Sequence, residues 1–220
     1  MNVAIIQICS ELAPQKNLEK IDYFIEKAKE RLDIEAVFLP EVFYSMSDGQ
    51  DPTPYLVEPN NEHYANIRNL AIKHKVALVG GSAATKLGSK VINRTYNFDS
   101  NGNELAHYDK MHLFSVDLSK DKSKTVIDEA TVYTSGNTPQ TLAMGPWKIG
   151  LSICFDLRFP ELFRHYCKEG ANLMTIASAF TVPTGKAHWK TLVRARAIEN
   201  QSYVVAAAQW GQHNEKISTY

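Results

Sequence analysis

The sequence predicts an α/β fold with a mixed sheet layered against helices, on three observations. Short apolar runs rich in Val and Ile alternate with longer segments whose apolar residues recur at helical spacing. In mid-chain, two alternating runs flank Asn101-Gly102, a strong hairpin signal, so antiparallel pairing interrupts an otherwise parallel arrangement. With 220 residues, 44% hydrophobic and 22% charged, the chain has the size and composition of one globular domain spanning residues 1–220.

Residues 3–8 read as a buried strand, and Leu18, Ile21, Ile25, Ala28 and Leu32 then form one apolar stripe on a charged helix. A second strand at 35–39 is broken by Pro40, and a polar loop rich in Asp, Gly and Pro covers 45–59. A helix at 62–74 leads to a strand at 76–79 and the flexible pair Gly80-Gly81. Strands at 91–98 and 104–109 are the arms of the hairpin. Residues 115–141 are polar and irregular, a length that suits a functional loop. Beyond it come a strand at 148–153, a helix ending near Gly170, a strand at 172–177, a helix at 187–200 and a strand at 203–208.

Lys+Arg and Asp+Glu both total 24, so no global field draws in nucleic acid or an anionic membrane. No apolar run approaches the roughly 20 residues that span a bilayer, and the N-terminus lacks a basic region and cleavage site, which gives a cytoplasmic expectation. The three cysteines signal neither a disulfide framework nor a zinc site. Cys9 and Cys167 read as small buried hydrophobes.

Cys154 differs, because the apolar run ending at Ile153 stops abruptly there and Phe155-Asp156-Leu157-Arg158-Phe159-Pro160 begins. A thiol at such a strand-to-helix turn projects from the carboxyl end of the sheet, beside free backbone N–H groups that can hold an oxyanion. Glu41 and Lys110 also follow strands, and Glu129 lies in the long loop. Singly each reads as a solvated charge; together they form a site only if their strands run parallel and their ends converge. A Cys-His hydrolase using His107, His112 or His188 is the rival enzyme reading, and a non-catalytic interaction domain the third.

Phe38-Leu39-Pro40-Glu41, Tyr108-Asp109-Lys110-Met111-His112-Leu113-Phe114 and Gly150-Leu151-Ser152-Ile153-Cys154-Phe155-Asp156-Leu157-Arg158-Phe159-Pro160-Glu161 resemble, in order, the three signature blocks of the nitrilase superfamily, the carbon–nitrogen hydrolases. The resemblance implies a four-layer αββα sandwich, a homodimer, and an amidase that works through a thioester with no metal or organic cofactor. In those terms Glu41 is the general base, Lys110 the oxyanion cation and Cys154 the nucleophile. The Phe155 N–H is a second oxyanion donor, and Glu129, preferred over Asp128, braces the lysine. A lysine beside the thiol is expected to favour thiolate. Phe180 and Thr181 are implied to line the pocket for a small-molecule amide, which water then cleaves from the enzyme.

Residues 177–189 and 194–201 are similar to the branch of ω-amidases and deaminated-glutathione amidases, and residues 203–213 are more similar to the latter, which implies the amide of deaminated glutathione as substrate. The alternatives are α-ketoglutaramate, or the nitriles and N-carbamoyl compounds of other branches. Asp156 and Arg158 are expected to pair and brace the nucleophile turn. The chain stops at Tyr220 where similar proteins continue into further strands, so a C-terminally incomplete domain with an exposed, aggregation-prone edge is expected.

Overall fold

The computed structural model describes residues 1–117 and 126–220. The first sheet contains β1 (Val3–Ile5), β2 (Ala36–Phe38), β3 (Ala77–Val79), β4 (Ser82–Leu87), β5 (Lys90–Phe98) and β6 (Glu104–Asp109) in the order β1-β2-β3-β5-β4, with β6 also on β5. β1, β2 and β3 are parallel, β5 is antiparallel to β3, and β6 is antiparallel to β5. Two reversals therefore restore the direction, and β2 and β6 point their carboxyl ends the same way. β7 (Ser115–Asp117) and β8 (Val126–Asp128) form a separate two-stranded ribbon.

The second sheet runs β12-β11-β10-β9, comprising β9 (Thr141–Met144), β10 (Trp147–Ile153), β11 (Leu173–Ala177) and β12 (Tyr203–Val205). β10, β11 and β12 are parallel, and β9 returns antiparallel on β10. A last ribbon pairs β13 (Gly211–Gln212) with β14 (Ser218–Thr219).

Helices α1 (Pro14–Lys29) and α2 (Glu62–His74) cover the outer face of the first sheet. Leu18, Ile21 and Ile25 of α1 and Ile67, Leu70 and Ala71 of α2 share a core with Val37, Leu39 and Leu78. Alternation along β2 sends Ala36 and Phe38 the other way, into a core with Ile149, Leu151, Ile153 and Leu173 of the second sheet. That core continues to Leu162, Phe163 and Tyr166 of α3 (Pro160–Lys168). Beyond a helical turn α4 (Val182–Thr184) and a π-turn at Gly185–Trp189, α5 (Lys190–Asn200) completes the outer layer with Leu192 and Val193. The layers are helix, sheet, sheet, helix.

The structure adds strands that periodicity missed. β4 has a split pattern, buried over Ser82–Thr85 and exposed at Lys86 and Leu87, and lies on the far side of β5. β9 begins inside the stretch read as irregular, and the same stretch carries β7 and β8. Its residues 118–125 lie outside the described residues. The hairpin at 99–103 forms as expected, with Gly102 at φ 79° and the Asp99 carboxylate accepting from Asn101 N and Asn103 N. Cys9 and Cys167 are half-buried, not core, and Cys9 Sγ donates to the Gln212 carbonyl. Among the described residues no helix is long and apolar enough to cross a membrane.

At Gly150, Tyr166 of α3 packs directly against β10. A Cβ there would lie 2.6 Å from Tyr166 Cδ2 and 2.9 Å from Met174 Sδ. The Tyr166 ring cannot yield, since its hydroxyl donates to Leu151 O at 2.6 Å and accepts from Gln140 N at 3.2 Å. Gly150→Ala is expected to cost about 1–3 kcal/mol in chemical denaturation through overpacking.

Candidate active site

Glu41, Lys110 and Cys154 leave β2, β6 and β10 at one end of the two sheets, and Glu129 follows β8. The Lys110 ammonium lies between two carboxylates, donating to Glu41 Oε1 at 2.9 Å and to Glu129 Oε1 at 2.8 Å. Glu41, Lys110 and Cys154 are 3%, 1% and 8% exposed. The strand ends converge, as a joint site requires.

Each group is fixed from its backbone outward. Val42 and Cys154 adopt φ of 45° and 48°, left-handed positions that β-branched and cysteine side chains rarely take. The first strain is held by Ser82, whose Oγ accepts from Val42 N at 3.0 Å. The second opens a 3₁₀ turn over Cys154–Arg158, whose leading N–H groups, Phe155 among them, have no intrahelical acceptor. The Ala179 backbone, just past β11, acts on Cys154 in the sense that favours its thiolate.

The Glu129 carboxylate accepts from Phe114 N at 2.7 Å, while its own N–H donates to Phe114 O at 2.9 Å. Asp128 instead caps its own turn at Ala130 N, so Glu129 is the carboxylate that reaches Lys110. Gly136 donates to Lys110 O at 2.8 Å, and a Cβ on it would stand 2.4 Å from Asp109 O. Only glycine lets this loop close on the lysine.

Asp156 does not pair with Arg158. It is fully buried and accepts from Ile153 N at 2.8 Å, Tyr108 Oη at 2.8 Å and His112 N at 3.0 Å, with His112 Nδ1 at 2.7 Å. The carboxylate thus ties the nucleophile turn to the strand and loop that carry Lys110. Burial, with the charge of Asp156 adding to it, drives the Tyr108 hydroxyl far above its ordinary range. Arg158 lies over the rings of Phe155 and Phe180, 5.6 Å from each, with Nη2 3.2 Å from His188 Nδ1. Periodicity could not show this, because Asp156 gathers donors from three separate segments.

Gln209 is a residue missed from the sequence. Fully buried, it donates to Glu41 O at 3.0 Å and to Ser10 Oγ at 2.7 Å, and accepts from Ser10 N at 3.0 Å. Phe180 is 5% exposed and packs on Trp189, and the Thr181 hydroxyl pairs with that of Thr184, so neither side chain is free of protein contacts. The three histidines of the rival reading are engaged elsewhere: His107 with Glu104, His112 with Asp156 and His188 with Arg158.

Electrostatics set the protonation states. Burial raises the Glu41 carboxyl, with Lys110 opposing and Glu129 adding to the rise. Burial disfavours the Lys110 charge, yet Glu129 and Glu41 outweigh it and hold the ammonium well above its ordinary range. The expected thiolate at Cys154 is not the resting form. Burial and Glu41 push the thiol well up, and Lys110, already shared by two carboxylates, offsets too little. The arrangement is a neutral nucleophile beside a basic carboxylate, with a fixed cation.

Removing the Glu41 charge is therefore expected to lower the Cys154 thiol: Glu41→Gln should speed iodoacetamide alkylation of Cys154 at pH 7 several-fold, read by mass spectrometry. In wild type the rate should keep rising with pH beyond about 8.5, the ordinary thiol value. Asp156→Ala, which strands several buried donors, is expected to destabilise by about 3 kcal/mol or more in urea denaturation.

Residues 2–220 match the carbon-nitrogen hydrolase family. The nitrilase and fragile histidine triad fusion protein NitFhit of Caenorhabditis elegans is 39% identical over 225 residues, covering 99% of this chain and 50% of that protein. The deaminated glutathione amidase of Dictyostelium discoideum is 38% identical over 226 residues, covering 97% of this chain and 76% of its own length. This chain thus spans about half of the first relative and three quarters of the second. The crystal structure of C. elegans NitFhit superposes with a TM-score of 0.85 at 36% identity, covering 99% of this chain and 53% of that one. Saccharomyces cerevisiae Nit3, of branch 10 of the nitrilase superfamily, gives 0.84 at 31% identity, covering 99% and 79%. With the αββα layering and a family match over residues 2–220, the chain belongs to the carbon–nitrogen hydrolases of the nitrilase superfamily.

Proposed function

We propose that this protein is a cysteine amidase that cleaves a small-molecule amide through a thioester at Cys154. The observation that carries the reading is the buried Lys110 ammonium held between Glu41 and Glu129 beside a strained cysteine turn. Cys154 Sγ attacks the amide carbonyl as its proton passes to Glu41. Lys110 and the Phe155 N–H stabilise the oxyanion, which collapses with loss of the amine as Glu41 returns the proton to it. Glu41 then deprotonates a water that attacks the thioester, and the released thiolate recovers the proton. The raised Glu41 carboxyl suits a base that must take a proton from a thiol.

For the substrate we favour the amide of deaminated glutathione. Relatives named deaminated glutathione amidase include those of Dictyostelium discoideum, at 38% identity, and Mus musculus, at 35%. Arg158 beside the nucleophile turn pairs with no carboxylate among the described residues, which suits a substrate that carries one.

Steady-state kinetics on deaminated glutathione and α-ketoglutaramate test the assignment. A kcat/KM favouring deaminated glutathione is expected; the opposite order makes the protein an ω-amidase. Cys154→Ala is expected to lose at least roughly 10³-fold in kcat. Rapid quench and intact-mass measurement should show the acyl adduct on wild-type protein alone; turnover by Cys154→Ala would sink the mechanism.

A further inference from the structure

We propose that Asn93 is the positioning residue of the site, holding the carboxylate of Glu41 with its side chain and the backbone of Lys110 with its main chain. This rests on the reading of Glu41 as the base. Asn93 lies in β5, 1% exposed, and its Nδ2 donates to Glu41 Oε1 at 2.9 Å. Its carbonyl accepts from Lys110 N at 2.9 Å. One residue therefore sets both where the base sits and where the lysine side chain begins.

The other half of the amide shows what this placement costs. Asn93 Oδ1 is buried and has no hydrogen-bond partner among the described residues. An unsatisfied buried acceptor costs about 1–3 kcal/mol, which an apolar residue of similar volume such as leucine would avoid. Packing alone therefore does not account for an asparagine here, whereas its Nδ2 contact with Glu41 does. Its Nδ2 and the Lys110 ammonium donate to the same carboxylate oxygen, Oε1. Two donors meeting on one oxygen restrain the orientation of the carboxylate.

Donation from Nδ2 favours the ionised carboxylate. Burial raises Glu41 and Lys110 opposes that rise; a neutral donor on the ionised oxygen acts in the same sense as Lys110. Without it Glu41 would protonate at higher pH, and its carboxylate would lose one of the two donors that orient it. A residue that only filled space would change neither property.

The test is Asn93→Leu, read by the ¹³C shift of the Glu41 carboxyl in glutamate-labelled protein as pH is varied, with Glu41→Gln assigning the signal. The titration midpoint is expected to rise by about one pH unit, equivalent to about tenfold in the ionisation constant, with thermal stability equal to or above wild type. On whichever of deaminated glutathione and α-ketoglutaramate is turned over, the acid limb of kcat/KM should move upward with it, and kcat should fall about tenfold at little change in KM. An unchanged midpoint in folded Asn93→Leu overturns the proposal. If that variant does not fold, Asn93→Ser, whose hydroxyl is too short to reach Oε1, is held to the same midpoint. The two readings fail separately: turnover retained by Glu41→Gln removes the base and Asn93 with it, whereas turnover lost there with an unmoved midpoint in Asn93→Leu removes only Asn93.

Discussion

A lysine ammonium taken fully out of water has to be paid for by charges brought to meet it, and here Glu41 and Glu129 approach Lys110 at 2.9 and 2.8 Å. Left with one partner or none, a buried charge of this kind costs several kcal/mol, so the two carboxylates, the lysine and the loops that carry them stand or fall together. The pairing also sets the chemistry. Two anions around one cation leave a local excess of negative charge in a buried space, which with desolvation keeps the Cys154 thiol protonated and Glu41 basic. The contact that makes burial tolerable thus prepares the proton transfer that a thiol nucleophile needs.

The scaffold serves this cluster by joining two sheets at one end. The first sheet contributes Glu41 and Lys110 through strands whose directions agree after two antiparallel steps. The second contributes Cys154 at a turn whose strain is held by its neighbours. Asp156 runs from the nucleophile turn to Tyr108 and His112, on either side of Lys110, and Gln209, just past β12, runs to the Glu41 backbone. Both are fully buried and satisfied by several partners, the condition under which a polar network rigidifies a core.

Strain sits beside the chemistry. Val42 and Cys154 hold left-handed backbone conformations that their side chains disfavour, one next to the base and one at the nucleophile. Such positions persist only where the surroundings over-determine them. Ser82 does this for Val42 and Asp156 for the turn after Ile153. β4, which carries Ser82, is therefore part of the support of the site although it contributes no reacting group.

What the sequence by itself determined is the local grammar: the apolar stripe of α1, the Asn101-Gly102 hairpin, the pairs of strand and helix, and the cysteine at a strand end. Those features depend on neighbours within a turn or a pleat, and residue types report them directly. The three signature blocks carried the family as well. Tertiary structure alone decided that Glu129 and not Asp128 meets Lys110, that Asp156 turns to Tyr108 and His112 and not to Arg158, and that the thiol rests protonated. Strands β4 and β9, with their weak alternation, take their place from partners in β5 and β10. Each of these outcomes depends on groups remote in sequence, and on the dielectric that burial creates around them, which no spacing along the chain records.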